Sequence, residues 1–228
     1  MQLAEDEVHL WRIATDRPCD LPSLRELLAA DERAKADRFR FDGDRRRSIV
    51  RRAALREIIT RYLDVRPADL AFCYGPQGKP SLAAPFCQSG LEFNLSFSGE
   101  TVLCAVGRHP LGVDLERYRA IEDAALVAKH FFTPGEVGLQ NQADDANRVF
   151  LRHWTRKEAL IKATGSGLSV PLNSFDVSWR PDGAPHQVTL ADAEGRPSTW
   201  YLRDLSPAPD ELAALATKLP DARIRWCE

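Results

Sequence analysis

The amino-acid sequence predicts an α+β chain built from two related halves. Helix-periodic segments and short apolar, β-branched runs are interspersed along its 228 residues, so both element types are expected to share in the core. One coarse order, helix, short turn, longer helix, glycine turn, strand, occurs in each half, although no residue-level repeat accompanies it. No low-complexity stretch or flexible linker interrupts the chain. A hydrophobic content of 44% is enough for a substantial buried core.

The first strand is expected at Val8 to Ile13, followed by a loop punctuated by Pro18 and Pro22. A helical stretch begins near Leu24. From Arg47 to Leu63 the residues Val50, Ala53, Ala54, Ile58, Tyr62 and Leu63 recur at three- and four-residue steps, which predicts a helix with one apolar face. Pro76 to Pro80 reads as a turn and Glu92 to Leu95 as a short strand. Thr101 to Val106 and Leu111 to Leu115, on either side of Arg108-His109-Pro110, read as a hairpin.

In the second half, Ile121 to His130 is expected to be helical up to Thr133-Pro134-Gly135, where Thr133 caps and Pro134 opens the next helix. A longer helix is expected from about Asn147 to Ala163, stopped by Gly165 and Gly167, because glycine tolerates the left-handed geometry of a helix end. Ser174 to Trp179, Gln187 to Leu190 and Thr199 to Leu205 read as strands. Leu212 to Thr217 is left open by its pattern: it is short and follows a Pro-rich loop, yet Glu-Leu-Ala-Ala-Leu-Ala favours helix.

A formal net charge of −2 provides no global field toward nucleic acid or an anionic membrane, so any anion site must be local. Glu5, Asp6 and Glu7 stand where a signal peptide would be basic and then apolar, and no apolar run is long enough to span a bilayer. A cytoplasmic protein without a membrane partner is expected. Five scattered cysteines, Cys19, Cys73, Cys87, Cys104 and Cys227, form neither a disulfide framework nor a zinc pattern, and reduced thiols are expected.

Four constellations could carry chemistry. In Gly112-Val113-Asp114-Leu115-Glu116, strand alternation puts both carboxylates on one face, opposite Val113 and Leu115; taken alone, this is also the pattern of any polar strand face. In Trp154-Thr155-Arg156-Lys157-Glu158-Ala159-Leu160-Ile161-Lys162, helical spacing stacks Trp154, Glu158 and Lys162 on one stripe, as it would an ordinary surface pair. Arg45, Arg46, Arg47, Arg51, Arg52 and Arg56 crowd one basic segment, and guanidinium groups suit phosphate; a solvated helix face or a nucleic-acid surface has the same composition. Asn94 to Gly99 offers hydroxyls at a polar corner. Gly165-Ser166-Gly167 has the wrong order for a phosphate loop, whose glycines precede the lysine.

Taken in order, Gly78-Lys79-Pro80, Phe93-Asn94-Leu95-Ser96-Phe97-Ser98-Gly99, the Gly112 to Glu116 element, Phe131-Phe132-Thr133-Pro134-Gly135-Glu136, the Trp154 to Lys162 element and the following Gly165 and Gly167-Leu168 resemble the surfactin-synthetase-activating branch of the 4'-phosphopantetheinyl transferase superfamily. The likeness runs from about residue 30 to 180. It implies two similar α+β subdomains in pseudo-twofold relation, residues 1–110 and 111–228, with the active site at their junction, and it implies a strand at Leu212 to Thr217. The implied activity is transfer of 4'-phosphopantetheine from coenzyme A to a serine of an apo acyl, peptidyl or aryl carrier protein, releasing 3',5'-adenosine bisphosphate. Asp114, Glu116 and Glu158 would hold Mg2+, for which Mn2+ could substitute. Three convergent carboxylates would otherwise repel by roughly 4 kcal/mol per close pair in a protein-like dielectric.

By the same resemblance, Lys35, Ser48, Lys79 and Ser96 would contact the nucleotide and its phosphates, while Lys157 and Lys162 would flank the pyrophosphate. Glu158 would be the general base, directly or through a water, and Lys162 would stabilise the leaving phosphate. Two positions depart from the family pattern. Phe97 stands where histidine is common, and Glu32 where some relatives are basic. Phe97 cannot bond a phosphate, so Arg46 or Arg47 is expected to supply the missing charge. A monomer is expected. The alternative is a noncatalytic coenzyme A or carrier-protein binding module of the same fold.

Overall fold

The computed structural model describes residues 1–227 apart from 168–169, 180–183, 192–194 and 206; Leu168 of the glycine turn is therefore outside the described residues. The first half carries β1 (Glu7–Ala14), α1 (Leu21–Glu26), α2 (Ala30–Asp37), α3 (Asp42–Thr60), a small hairpin of β2 (Phe72–Tyr74) and β3 (Pro80–Leu82), then β4 (Glu92–Ser98) and β5 (Thr101–Gly107). The second half carries β6 (Leu111–Arg117), α4 (Ala124–Phe131), α5 (Pro134–Asn141), α6 (Ala146–Thr164), β7 (His186–Ala191), β8 (Pro197–Leu205), β9 (Glu211–Thr217) and β10 (Arg223–Cys227).

Two four-stranded sheets, ordered β10-β1-β5-β4 and β6-β9-β8-β7, organise the chain. Strand alternation sorts their side chains. Val8, Leu10, Leu103 and Ala105 of the first sheet meet Leu111, Val113, Leu115 and Leu215 of the second in a shared apolar layer. The opposite face of the first sheet, with Trp11, Phe93 and Cys104, packs on Leu55, Ile58 and Ile59 of α3. The opposite face of the second, with Leu202, Ala214 and Ala216, packs on Ala159, Leu160 and Ala163 of α6. Each half thus supplies one sheet and one long helix, an α+β fold of two similar subdomains. The chain's last strand crosses over: β10 pairs in parallel with β1, Trp11 opposite Cys227.

Leu212 to Thr217 lies in β9, every residue of which is buried. Pairing with β6 on one side and β8 on the other overrides the helical propensity of its alanines. Three expectations are corrected. Thr101 to Val106 and Leu111 to Leu115 do not form a hairpin, because β5 and β6 belong to different sheets and bury Leu103 and Val113 against each other face to face. The stretch near Leu24 is two short helices, the first capped by Asp20. Ser174 to Trp179 joins no sheet. Phe175 and Val177 are still buried at alternate positions, but side chains take the place of a ladder: Val177 N donates to Glu136 Oε1 (2.8 Å) and Arg156 Nε donates to the Val177 carbonyl (2.5 Å).

Candidate active site

The edge strands β4 and β6 meet where the two sheets adjoin, and side chains join them. Asn94, Ser96 and Ser98 share one face of β4 by alternation. Val113 N donates to Asn94 Oδ1 and Arg117 N to Ser98 Oγ, both at 2.9 Å. Ser96 Oγ donates to Asp114 Oδ1 (2.8 Å) and Ser98 Oγ to Glu116 Oε2 (3.0 Å). The first half therefore fixes the carboxylates of the second. Gly112 brings α6 down onto this strand: a Cβ there would lie 2.3 Å from both the Ala159 oxygen and the Ala163 nitrogen, so only glycine permits the approach.

Lys162, in the last turn of α6, donates to Asp114 Oδ1 (2.6 Å) and Ser96 Oγ (2.9 Å). Glu158, one turn earlier on the same stripe, is half-buried and has no hydrogen-bond or ion-pair partner among the described residues. Burial pushes its pKa up, and the negative charges of Asp114 and Glu116 push the same way. Burial raises Asp114 as well, against the pull of Lys162. The second oxygen of Asp114, Oδ2, is buried without a partner among the described residues. Glu116 is held by Ser98 and by Arg119 at 2.7 Å. Helix α6 ends at Gly165, whose φ of 69° is left-handed, so Gly165 closes the helix as its cap.

These residues fit a hard divalent cation. An orphaned carboxylate oxygen on Asp114 and an unpartnered Glu158 are oxygen donors whose charged forms burial disfavours, and a cation would offset that cost. Among the described residues no group of three or more His, Cys, Asp or Glu side chains is drawn together closely enough to hold a metal. A shell completed by substrate oxygens and water suits Mg2+ in such a site.

Lys157 requires a correction. Its side chain is fully buried, paired with Glu136 Oε2 at 2.9 Å, and donates to the carbonyls of Leu172 and Phe175, each at 2.8 Å. All three ammonium donors are used inside the second half, so Lys157 does not flank a pyrophosphate. Glu136 is equally committed: it accepts from Thr133 N and Val177 N as well. The signal was legible in the helical spacing, since residue 157 lies about 100° from the Glu158 stripe.

A cleft of about 570 Å³ opens between α2, α3, β4 and the β2–β3 hairpin, with Lys35, Arg47, Ser48, Arg51, Arg52 and Phe97 in its lining. Of the expected nucleotide contacts it contains Lys35, Arg47 and Ser48. Ser96 belongs instead to the Asp114–Lys162 group. Lys79 donates to the carbonyls of Leu111 (3.2 Å) and Ala163 (3.3 Å), tying the small hairpin to the end of α6. Arg46 is turned out of the cleft, donating to the carbonyls of Arg17 (2.6 Å) and Thr15 (3.5 Å); the expectation that it serves the cleft is corrected. Glu32 caps α2 and pairs with Arg56 (2.7 Å) and Arg52 (3.2 Å). The basic run is thereby divided, with Arg56 buried as a tie to the Pro67 and Leu70 carbonyls. Arg51 and Arg52, named with the basic segment, also line the cleft, and Tyr74 is a lining residue that the sequence reading did not single out. Asp44, Arg47, Ser48, Arg51, Arg52 and Leu55 recur at the three- and four-residue steps of one helix face, and that spacing was the available signal.

Comparison with known proteins places the chain in a family. Residues 110–226 match the profile of the 4'-phosphopantetheinyl transferase superfamily, and residues 9–109 match that of the 4'-phosphopantetheinyl transferase N-terminal region. The chain belongs to the 4'-phosphopantetheinyl transferase superfamily. It is 40% identical to the 4'-phosphopantetheinyl transferase HetI of Nostoc sp. (strain PCC 7120), over 95% of this chain and 90% of that protein. It is 29% identical to the 4'-phosphopantetheinyl transferase Sfp of Bacillus subtilis (strain 168), over 93% of each. A putative 4'-phosphopantetheinyl transferase of Synechocystis sp. (strain PCC 6803) is 38% identical over 72% of this chain and 67% of its own length.

Proposed function

We propose that the junction of the two sheets transfers 4'-phosphopantetheine from coenzyme A to the serine of an apo acyl, peptidyl or aryl carrier protein, as in the surfactin-synthetase-activating branch of the superfamily. The observation that carries this reading is the joining of Ser96, Asp114 and Lys162 by hydrogen bonds of 2.6–2.9 Å, beside unpartnered Glu158 and next to a cation-lined cleft. In the reaction the serine oxygen forms a bond to the β-phosphorus of coenzyme A. The bond from that phosphorus to the bridging oxygen breaks, and 3',5'-adenosine bisphosphate departs with the electron pair.

Glu158 accepts the serine proton, directly or through a water; because a bound cation would lower its basicity, the water relay is the form that serves both of its roles. Lys162 faces the negative charge that develops on the departing phosphate. Asp114, Glu116 and Glu158 are the residues that would hold Mg2+ or Mn2+, which would polarise phosphoryl oxygens when bound. Asp114 can share a cation through Oδ2 because Ser96 and Lys162 occupy only Oδ1. Lys35, Arg47 and Ser48 hold the nucleotide end in the cleft. Among the described residues no helix is long and apolar enough to cross a membrane, and we propose a cytoplasmic monomer. Incubation with apo carrier protein, coenzyme A and Mg2+, followed by intact mass measurement, tests the reading. The expected product is carrier protein heavier by one phosphopantetheine. An unmodified set of acyl, peptidyl and aryl carriers would refute it.

A further inference from the structure

The four cations lining the cleft, Lys35, Arg47, Arg51 and Arg52, are not equivalent. Arg47 is bound by Asp44 (2.5 Å) and Glu100 (2.9 Å). Arg52 is bound by Glu32 and donates to the Tyr74 hydroxyl (3.0 Å). Among the described residues Lys35 and Arg51 have no carboxylate partner. Lys35 is an exposed, unconstrained side chain. Arg51 is held: its Cζ lies 3.7 Å from the centre of the Phe97 ring, and one terminal nitrogen donates to the Gly99 carbonyl (3.1 Å). Its Nε is buried with no acceptor among the described residues. Phe97, 57% exposed, is an apolar surface residue without a core role, and its visible contact is this stack. A guanidinium held over a ring face keeps its N–H donors in its own plane, off the ring, where a phosphate can meet them edge-on.

We propose that the Arg51–Phe97 stack is the phosphate-monoester reader of the cleft and takes the 3'-phosphate of coenzyme A. Phe97 contributes no bond to the phosphate; it fixes the plane of the arginine that does. This assignment rests on the coenzyme A reading above and moves the task from Arg46, which is turned toward the Arg17 carbonyl, and from Arg47, which lines the cleft but has its charge offset by Asp44 and Glu100. It also gives a reason for an exposed phenylalanine on a strand whose alternate residues, Ser96 and Ser98, serve the junction.

Calorimetric titration of coenzyme A and of 3'-dephospho-coenzyme A, with Mg2+ and without carrier protein, isolates the interaction. Wild type should prefer coenzyme A at least about tenfold, the scale of a hydrogen bond to a charged group. Arg51→Ala should bring the two affinities within about threefold. Arg51→Lys should be intermediate, as charge without a planar fork, and Phe97→Ala should lose part of the preference although every charge remains. Arg46→Ala should keep the wild-type ratio. Wild type binding both ligands equally, or Arg51→Ala keeping the full preference, overturns the assignment. Transfer to carrier protein by Arg51→Ala at saturating coenzyme A separates the two readings. A modified carrier with an unchanged affinity ratio sinks only the Arg51 assignment, whereas a wild type that neither binds coenzyme A nor modifies a carrier sinks the function itself.

Discussion

Replacing Lys157 by methionine tests whether this lysine of the Trp154 to Lys162 element belongs to the fold or to the chemistry. Methionine retains much of the stem and removes the ammonium. Glu136, fully buried, would keep its bonds from Thr133 N and Val177 N but lose its counter-charge at 2.9 Å, and the Leu172 and Phe175 carbonyls would each lose a donor. Removing one partner of a buried ion pair costs about 3–5 kcal/mol, because the other is left uncompensated. In a domain of this length each kcal/mol moves Tm by about 2–4 °C, so the fall should be roughly 6–20 °C. Urea unfolding of the wild type, Lys157→Met, Glu136→Leu and the double variant should show the double variant destabilised by less than the sum of the singles. Transfer activity per folded molecule should stay near wild type. Unchanged stability with transfer abolished would refute the structural role and return Lys157 to the reaction.

Asp114→Ala and Glu158→Gln should each leave a folded protein with transfer reduced by orders of magnitude, read by intact mass of the carrier; near-wild-type turnover at saturating coenzyme A would sink the junction assignment. Exhaustive EDTA treatment should stop transfer, and added Mg2+ or Mn2+ should restore it. Gly112→Ala should cost about 1–3 kcal/mol in urea unfolding, since the Cβ meets α6 backbone at 2.3 Å, and should depress transfer by lifting Glu158 and Lys162 from Asp114. His153, buried between Phe132 and Trp179 with neither ring nitrogen bonded among the described residues, has its pKa pushed down to about 4, mainly by burial and then by Lys157 and Arg156. Its folded value lies below its unfolded value, so it adds stability above pH 6.5 that is lost as pH falls from 6.5 toward 4, about 3 kcal/mol in all. The slope of unfolding free energy across that window should flatten in His153→Phe, and an identical slope in both proteins would discard the assignment.

The parts of the fold that were legible in sequence are those set by local periodicity. The apolar stripe in α3, the Thr133 and Pro134 start of α5 and the Gly165 end of α6 each follow from neighbours within a few residues. What was not legible is partnership at a distance. Nothing in Thr101 to Leu115 tells whether two apolar runs pair edge to edge or pack face to face, since both arrangements bury the same residues. Ser174 to Trp179 alternates like a strand, but its backbone is satisfied by Glu136 and Arg156, about forty and twenty residues away in sequence. Composition likewise left the basic segment undivided: six arginines suited an anion surface or a solvated face alike, whereas Glu32, Asp44 and Glu100 engage three of them, Arg47, Arg52 and Arg56, in four ion pairs. Candidate chemistry at the junction was visible as residue types, and its wiring was not.

That wiring explains how Asp114 can be ion-paired and still be proposed as a metal ligand. A lysine at 2.6 Å would ordinarily satisfy a carboxylate and remove any need for a cation. Here Lys162 and Ser96 both converge on Oδ1, while Oδ2 is buried and bare, so the carboxylate is divided between two tasks by its two oxygens. Ser96 is fixed by β4 of the first half, Asp114 by β6 and Lys162 by α6 of the second. Their common geometry exists only while the edge strands stay in register through Asn94 and Ser98. Cutting that register with Asn94→Ala should therefore weaken transfer through residues it does not touch, by letting Ser96 drift from Asp114. Asn94→Asp supplies the control, because its oxygen can still accept from Val113 N. Rescue of transfer by aspartate relative to alanine supports the coupling. Equal activity of the alanine variant and the wild type would show that the two halves hold the site independently.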